Sequence, residues 1–205
     1  MVRKIGIACI VLGVACMLTS VGFVVYNRWE ASHGERTSLF LLQDLHASIP
    51  ETELMSSVVY SRNMGEYAPK QMLTVSVGNY DSIGILSIPV LELELPVLAD
   101  WSYEKLKNAP CHYYGSCYGS DFVIAAHNYP SHFGRLSQLQ QGDLVIFTDV
   151  SGGVHAYEVV LLETLLPTAT EEMITSGFDL SLYTCTPGGS NRVTVRCNAV
   201  KETGF

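Results

Sequence analysis

The spacing of apolar and polar residues changes twice along the chain. Residues 5–26, IGIACIVLGVACMLTSVGFVVY, run for 22 positions without a charge. At about 1.5 Å per residue such a helix is roughly 33 Å long, the depth of a bilayer's hydrocarbon core. A single membrane span is predicted. Residues 38–48 then carry Leu39, Leu42 and Leu45 at helical spacing and stop at Pro50, which predicts one short helix inside an otherwise irregular stalk. From about Tyr80 the period falls to two. IGILSIP and LELELPV are divided at Pro89, as expected of two strands meeting at a corner. DFVIAAH, DLVIFTDV, VHAYEVVLLETLLP, FDLSLYTC and RVTVRCNAVK read as further strands, with Gly152 and Gly153 turning the chain between two of them. Short helical pieces are expected at SYEKLKNA, where Ser102 is the cap, at FGRLSQL, and over residues 170–175.

Roughly eight strands with only brief helical interruptions define an all-β domain, a sandwich or a closed barrel. Closure is favoured, because few of the strands carry the charges or prolines that blunt a sheet edge. The organisation expected is a tail over residues 1–4, a membrane anchor over 5–26, a stalk over 27–79 and a β-domain over 80–205. With 48% apolar residues in 205, the β-domain has ample material for a core.

Charge decides orientation and excludes one class of partner. Arg3 and Lys4 precede the span, whereas Arg28, Glu30, Glu35 and Arg36 follow it, so the basic residues place the N-terminus in the cytoplasm and the β-domain outside. A cleaved signal peptide competes with a retained anchor, but the apolar run is longer than the usual signal core and no small-x-small site follows it. The formal charge of −8 leaves an acidic exported part, which argues against nucleic acid as a partner.

The candidate chemistry gathers at strand ends. Cys185 closes one strand immediately before Pro187, Gly188 and Gly189, His127 closes another, and Arg192 opens the strand that returns from Cys185. A cysteine in that setting is a packed thiol, half of a disulfide with Cys197, or a nucleophile. A nucleophile needs an imidazole or a cation nearby to raise its thiolate fraction, and His127 and Arg192 are one of each. Arg196 shares a strand face with Arg192 and is expected in a supporting salt bridge. Cys111 and Cys117 in PCHYYGSCYG permit a local disulfide or two free thiols. With His112 they hint at a metal, but four ligands at zinc spacing are not evident and no metal site is expected.

LYTCT followed by NRVTVR, with IAAHNY upstream, resembles the sortases, membrane-anchored cysteine transpeptidases of Gram-positive bacteria, over about residues 83–200. The resemblance implies a closed, eight-stranded sortase-like barrel. It makes Cys185 the nucleophile, His127 the acid that protonates the leaving amine, and Arg192 the group that orients substrate or holds the oxyanion. Thr184, Asn128 and Tyr129 become substrate-binding residues, while Ser181 departs from the threonine that usually leads the family's pattern. The implied reaction cleaves an LPxTG-like sorting signal through a thioacyl intermediate and transfers the surface protein to a cell-wall amine. The acceptor is a peptidoglycan precursor or, in the pilin-polymerising alternative, a pilin lysine. The absence of an Asp-Pro-aromatic lid motif and of a C-terminal apolar segment favours the anchoring role. No cofactor is implied; calcium on Glu92 and Glu94, expected on one strand face, is a minor alternative. A thiol hydrolase or redox protein using Cys111 and Cys117, and a noncatalytic extracellular binding barrel, are the readings from other classes.

Overall fold

The structure, a computed structural model, describes residues 2–49 and 71–200. Residues 50–70 of the expected stalk, and the side chains of residues 1–5, 8 and 9, lie outside the described residues. A single helix, α1 (Val2–Ser48), contains both the apolar run and the stalk helix. Within the described part of the stalk, residues 27–48 are helical throughout instead of only over 38–48: no proline falls between Tyr26 and Ser48, and the helix runs on to pack against the β-domain. The helix is long and apolar enough to cross a membrane, and none of its most apolar 18-residue window is buried.

The β-domain contains β1 (Val75–Val77), β2 (Tyr80–Ile88), β3 (Leu93–Leu98), β4 (Cys111–Tyr114), β5 (Phe122–Ala125), β6 (Leu144–Asp149), β7 (Val154–Leu165), β8 (Leu180–Cys185) and β9 (Arg192–Ala199). Two short helices, α2 (Tyr103–Leu106) and α3 (Thr170–Ile174), decorate it. Lys105 N donates to Ser102 Oγ at 3.1 Å, the cap expected for α2. Strand order is β1-β2-β3-β4-β5-β8-β9-β7-β6, and β6 pairs back onto β2. Eight strands thus close on themselves, with β1 as an addition at β2.

Between β2 and β3 the corner is a single 3-10 turn, Pro89–Leu91, ended by Glu92 at a left-handed φ of 49°. Glu92 is therefore not on the strand face of Glu94, and Glu94 pairs with His46 of α1 at 3.3 Å.

Two apolar clusters organise the fold. Inside the barrel lie Leu86, Phe122, Ile124, Phe147, Leu182 and Val195. On the outer face a second cluster joins Leu41, Leu42 and Leu45 of α1 to Ile85, Leu98, Cys111 and Ala125. Because strand side chains alternate, Leu182 and Ile124 point inward and their neighbours Tyr183 and Ala125 point outward, toward α1. Cys111 belongs to the outer cluster and Cys117 to the inner one. The local disulfide permitted by their spacing is not formed, and both are buried.

Candidate active site

The barrel's hydrogen-bond register brings the three predicted residues into one row. Strands β5 and β8 run parallel with Ala125 opposite Tyr183. Pairing persists one step further, since Ala126 N donates to Tyr183 O at 3.1 Å. Thr184 Oγ1 also donates to Ala126 O, at 2.8 Å. Continued by one residue, this register sets His127 beside Cys185. On the other side, β8 and β9 are antiparallel and Cys185 is directly opposite Arg192. Adjacent strands lie about 4.8 Å apart, so imidazole, thiol and guanidinium stem from neighbouring positions. All three share the outward parity of Ala125 and Tyr183.

Cys185 is half-buried and free. Cys111 and Cys197 are free too, but burial pushes both thiols up to about 12, which leaves them inert at neutral pH. A Cys185–Cys197 disulfide is not formed; Cys197 faces the barrel interior, opposite in parity to Cys185. Arg192 Nη1 donates to Gly189 O and Asn191 O, both at 3.1 Å. It braces the turn after Cys185 and keeps Nε and Nη2 as donors for a ligand.

Burial holds His127 below its ordinary value; Glu30 of α1 pulls it upward and Lys107 pushes it down. The ring stacks on Tyr129 at 4.9 Å between centroids. Tyr129 is raised to about 12 by burial and by the neighbouring Glu30 carboxylate. Lys107 lies 3.8 Å from Glu30, so an ion pair ties α1 to the end of α2, and Glu30 also stands beside Tyr129 in the loop after β5. A groove of about 1090 Å³ runs between them, walled by Asn27, Glu30 and Glu35 on the helix side and by His127, Asn128 and Arg135 on the barrel side. Asn128 and Tyr129 line it. Thr184 does not: it is 3% exposed and its hydroxyl is taken by Ala126 O, so it fastens β8 to the segment bearing His127.

Glu30 and Lys107 escaped the sequence reading because they belong to distant segments that only the docking of α1 brings together. His132 escaped it as well. It is wholly buried, neither ring nitrogen has a partner, and its ring lies tilted against Tyr129 at 5.5 Å between centroids. Burial, then the neighbouring His127, lowers it to about 4. The unfolded chain therefore binds a proton near pH 6.5 that the folded chain refuses until about pH 4, and the stability present above pH 6.5 is lost as pH falls toward 4. The loss is about 3 kcal/mol. In thermal melts of the full chain, His132→Leu should abolish that share of the acid destabilisation, leaving the variant less sensitive than wild type between pH 7 and pH 4.

The sequence matches the family model of the sortase domain over residues 86–200. Its fold is similar to sortase A from Corynebacterium diphtheriae, at 26% identity and a TM-score of 0.54, covering 60% of this chain and 62% of that one. It is similar to the pilus-related sortase C of Group B Streptococcus at 28% identity and a TM-score of 0.52, covering 60% and 69%. A Clostridium perfringens sortase D5 transpeptidase shares the fold, at 16% identity and a TM-score of 0.54, over 83% of this chain and 99% of that one. No curated protein matches the sequence.

Proposed function

The chain belongs to the sortase family, and from that premise we propose that it is a membrane-anchored cysteine transpeptidase whose nucleophile is Cys185. The observation that carries this reading is the row His127, Cys185, Arg192 across three neighbouring strands, with Cys185 half-exposed and reduced. In the first half-reaction Cys185 Sγ passes its proton to His127 and attacks the threonine carbonyl of an LPxTG-like signal. Negative charge develops on the carbonyl oxygen, where the free N–H groups of Arg192 donate. Collapse breaks the peptide C–N bond, and the His127 imidazolium protonates the departing amine. A thioacyl enzyme remains.

An incoming amine then attacks that thioester, loses its proton to His127 and expels the Cys185 thiolate. Peptide bond is exchanged for peptide bond with no net redox change. Water in place of the amine gives hydrolysis. The acceptor is a cell-wall peptidoglycan amine, and the partner proteins carry the sorting signal. A pilin lysine as acceptor is the second reading, favoured by the likeness to pilus-related sortase C. The apolar start of α1 supports anchoring in the cell membrane, with the barrel on its outer face.

Acid-quenched mass spectrometry of the full chain in detergent, incubated with LPxTG-like peptides, tests the reading. A thioacyl adduct is expected on Cys185 and on no other thiol. It should vanish in Cys185→Ala and form about a hundred- to a thousand-fold more slowly in Arg192→Ala. An adduct that persists in Cys185→Ala disproves the assignment; the released fragment and the acceptor consumed, lipid-linked amine or pilin lysine, separate the two acceptor readings.

A further inference from the structure

At the end of the barrel remote from Cys185, three ligand atoms converge. Cys117 lies in the loop between β4 and β5, Asp149 ends β6 and His155 lies at the start of β7. Cys117 Sγ, a carboxylate oxygen of Asp149 and a ring nitrogen of His155 are all within 4.8 Å of one another. Leu165, at the other end of β7, pairs with Arg192. A rise of about 3.3 Å per residue therefore separates the cluster from the candidate active site by roughly 30 Å.

The surroundings hold Asp149 in place. Its Oδ2 accepts from the Tyr118 hydroxyl at 2.8 Å and lies 3.1 Å from His155 Nε2. Its Oδ1 accepts from Ser151 N at 2.7 Å and Gly153 N at 3.1 Å. Gly153 matters here, since a Cβ at that position would come within 2.5 Å of Oδ2. Beside the cluster opens a cavity of about 240 Å³ whose walls include Cys117, His155, Tyr157 and Asp179. It offers an entry path and room for one further ligand.

We propose that Cys117, Asp149 and His155 form a binding site for a zinc-class divalent cation, with the fourth coordination position facing this cavity. A sulfur, a nitrogen and an oxygen donor suit borderline Zn²⁺, whereas Ca²⁺ and Mg²⁺ take oxygen alone. In tetrahedral zinc sites the bonds are about 2.0–2.3 Å, which puts ligand atoms roughly 3.3–3.7 Å apart, so Asp149 and His155, already 3.1 Å apart, open slightly, while Cys117, within 4.8 Å of both, adjusts by at most about 1.5 Å. The Cys117 thiol proton leaves to solvent as the metal–sulfur bond forms. His155 exchanges its bond to Asp149 for the metal, and the Tyr118 hydroxyl continues to orient the carboxylate. The same residue types also build hydrolase relays. A relay, however, strings the imidazole between thiol and carboxylate, while here all three atoms cluster around one point. The site is independent of the transpeptidase reading.

The full chain in detergent, first stripped with a chelator, is titrated with Co²⁺ and then Zn²⁺. A near-ultraviolet thiolate-to-cobalt charge-transfer band is expected at one equivalent, displaced by Zn²⁺. The band should survive in Cys185→Ala, His127→Ala and Cys111→Ser and be lost in both Cys117→Ser and His155→Ala. Zn²⁺ should raise the melting temperature of wild type and leave that of His155→Ala unchanged. His155 is partly exposed, which protects that variant from misfolding if Cys117→Ser proves unstable. Absence of the band in wild type, its persistence in His155→Ala, or its loss in Cys185→Ala overturns the proposal.

Discussion

His127→Ala is expected to slow thioacyl formation by about a hundred- to ten-thousand-fold, the range that a positioned general acid–base contributes. The size of the effect follows from its two tasks, accepting the thiol proton and delivering it to the leaving amine. The pH profile separates these tasks from mere packing. The competent enzyme carries one proton over the Cys185–His127 pair, and a second proton disables it. Burial lowers His127, so the acidic limb of kcat/KM should have its midpoint below 6.5, the ordinary imidazole value. The Glu30 carboxylate favours the imidazolium. Glu30→Gln should therefore shift the limb to still lower pH. Single-turnover rates measured by rapid acid quench between pH 4 and 8 check both statements. A limb that stays fixed in Glu30→Gln, or a rate unaltered in His127→Ala, removes the imidazole from the mechanism.

Arg196→Ala is expected to remove about 3–5 kcal/mol of stability, the cost of breaking a buried charged network by deleting one partner. Arg196 is 2% exposed. Its Nε donates to Glu163 at 2.7 Å, Nη1 to Ser181 Oγ at 2.8 Å and Nη2 to Glu172 O at 2.8 Å. One guanidinium thus joins β9 to β7, β8 and the start of α3, as a salt bridge does on the face expected for it. Deletion leaves a cavity together with an unpaired serine hydroxyl and backbone carbonyl. Differential scanning calorimetry should show a fall of roughly 10–20 °C. Arg196→Met, which refills the volume, should fall less. A loss below about 1 kcal/mol would mean that solvent reaches these groups in a way their burial denies.

The strands of the barrel were legible because each carries a long period-2 pattern, and the turn at Gly188 and Gly189 made the Cys185–Arg192 pairing readable from spacing alone. Short elements were not. β4 spans only Cys111–Tyr114 and meets β3 through the one pair Leu98 and Cys111, too short a run to show an alternating pattern. β1 likewise has three residues, inside what read as stalk. The continuity of α1 was hidden by its charged middle, because the apolar stripe that docks it, Leu41, Leu42 and Leu45, begins only after that stretch. Of the candidate site, the row of reactive side chains was visible and their tuning was not. Glu30, Lys107 and His132 act through space from separate parts of the chain, and no local motif announces such a meeting.

The groove wall formed by Asn27, Glu30 and Glu35 is the direct continuation of the apolar helix that ends near Tyr26. With residues 5–26 in hydrocarbon, Glu30 stands only about 6 Å beyond it at 1.5 Å per residue. On the proposed anchored reading, the groove beside α1 sits at lipid head-group height, where a membrane-tethered substrate and acceptor would meet it by lateral diffusion in the leaflet.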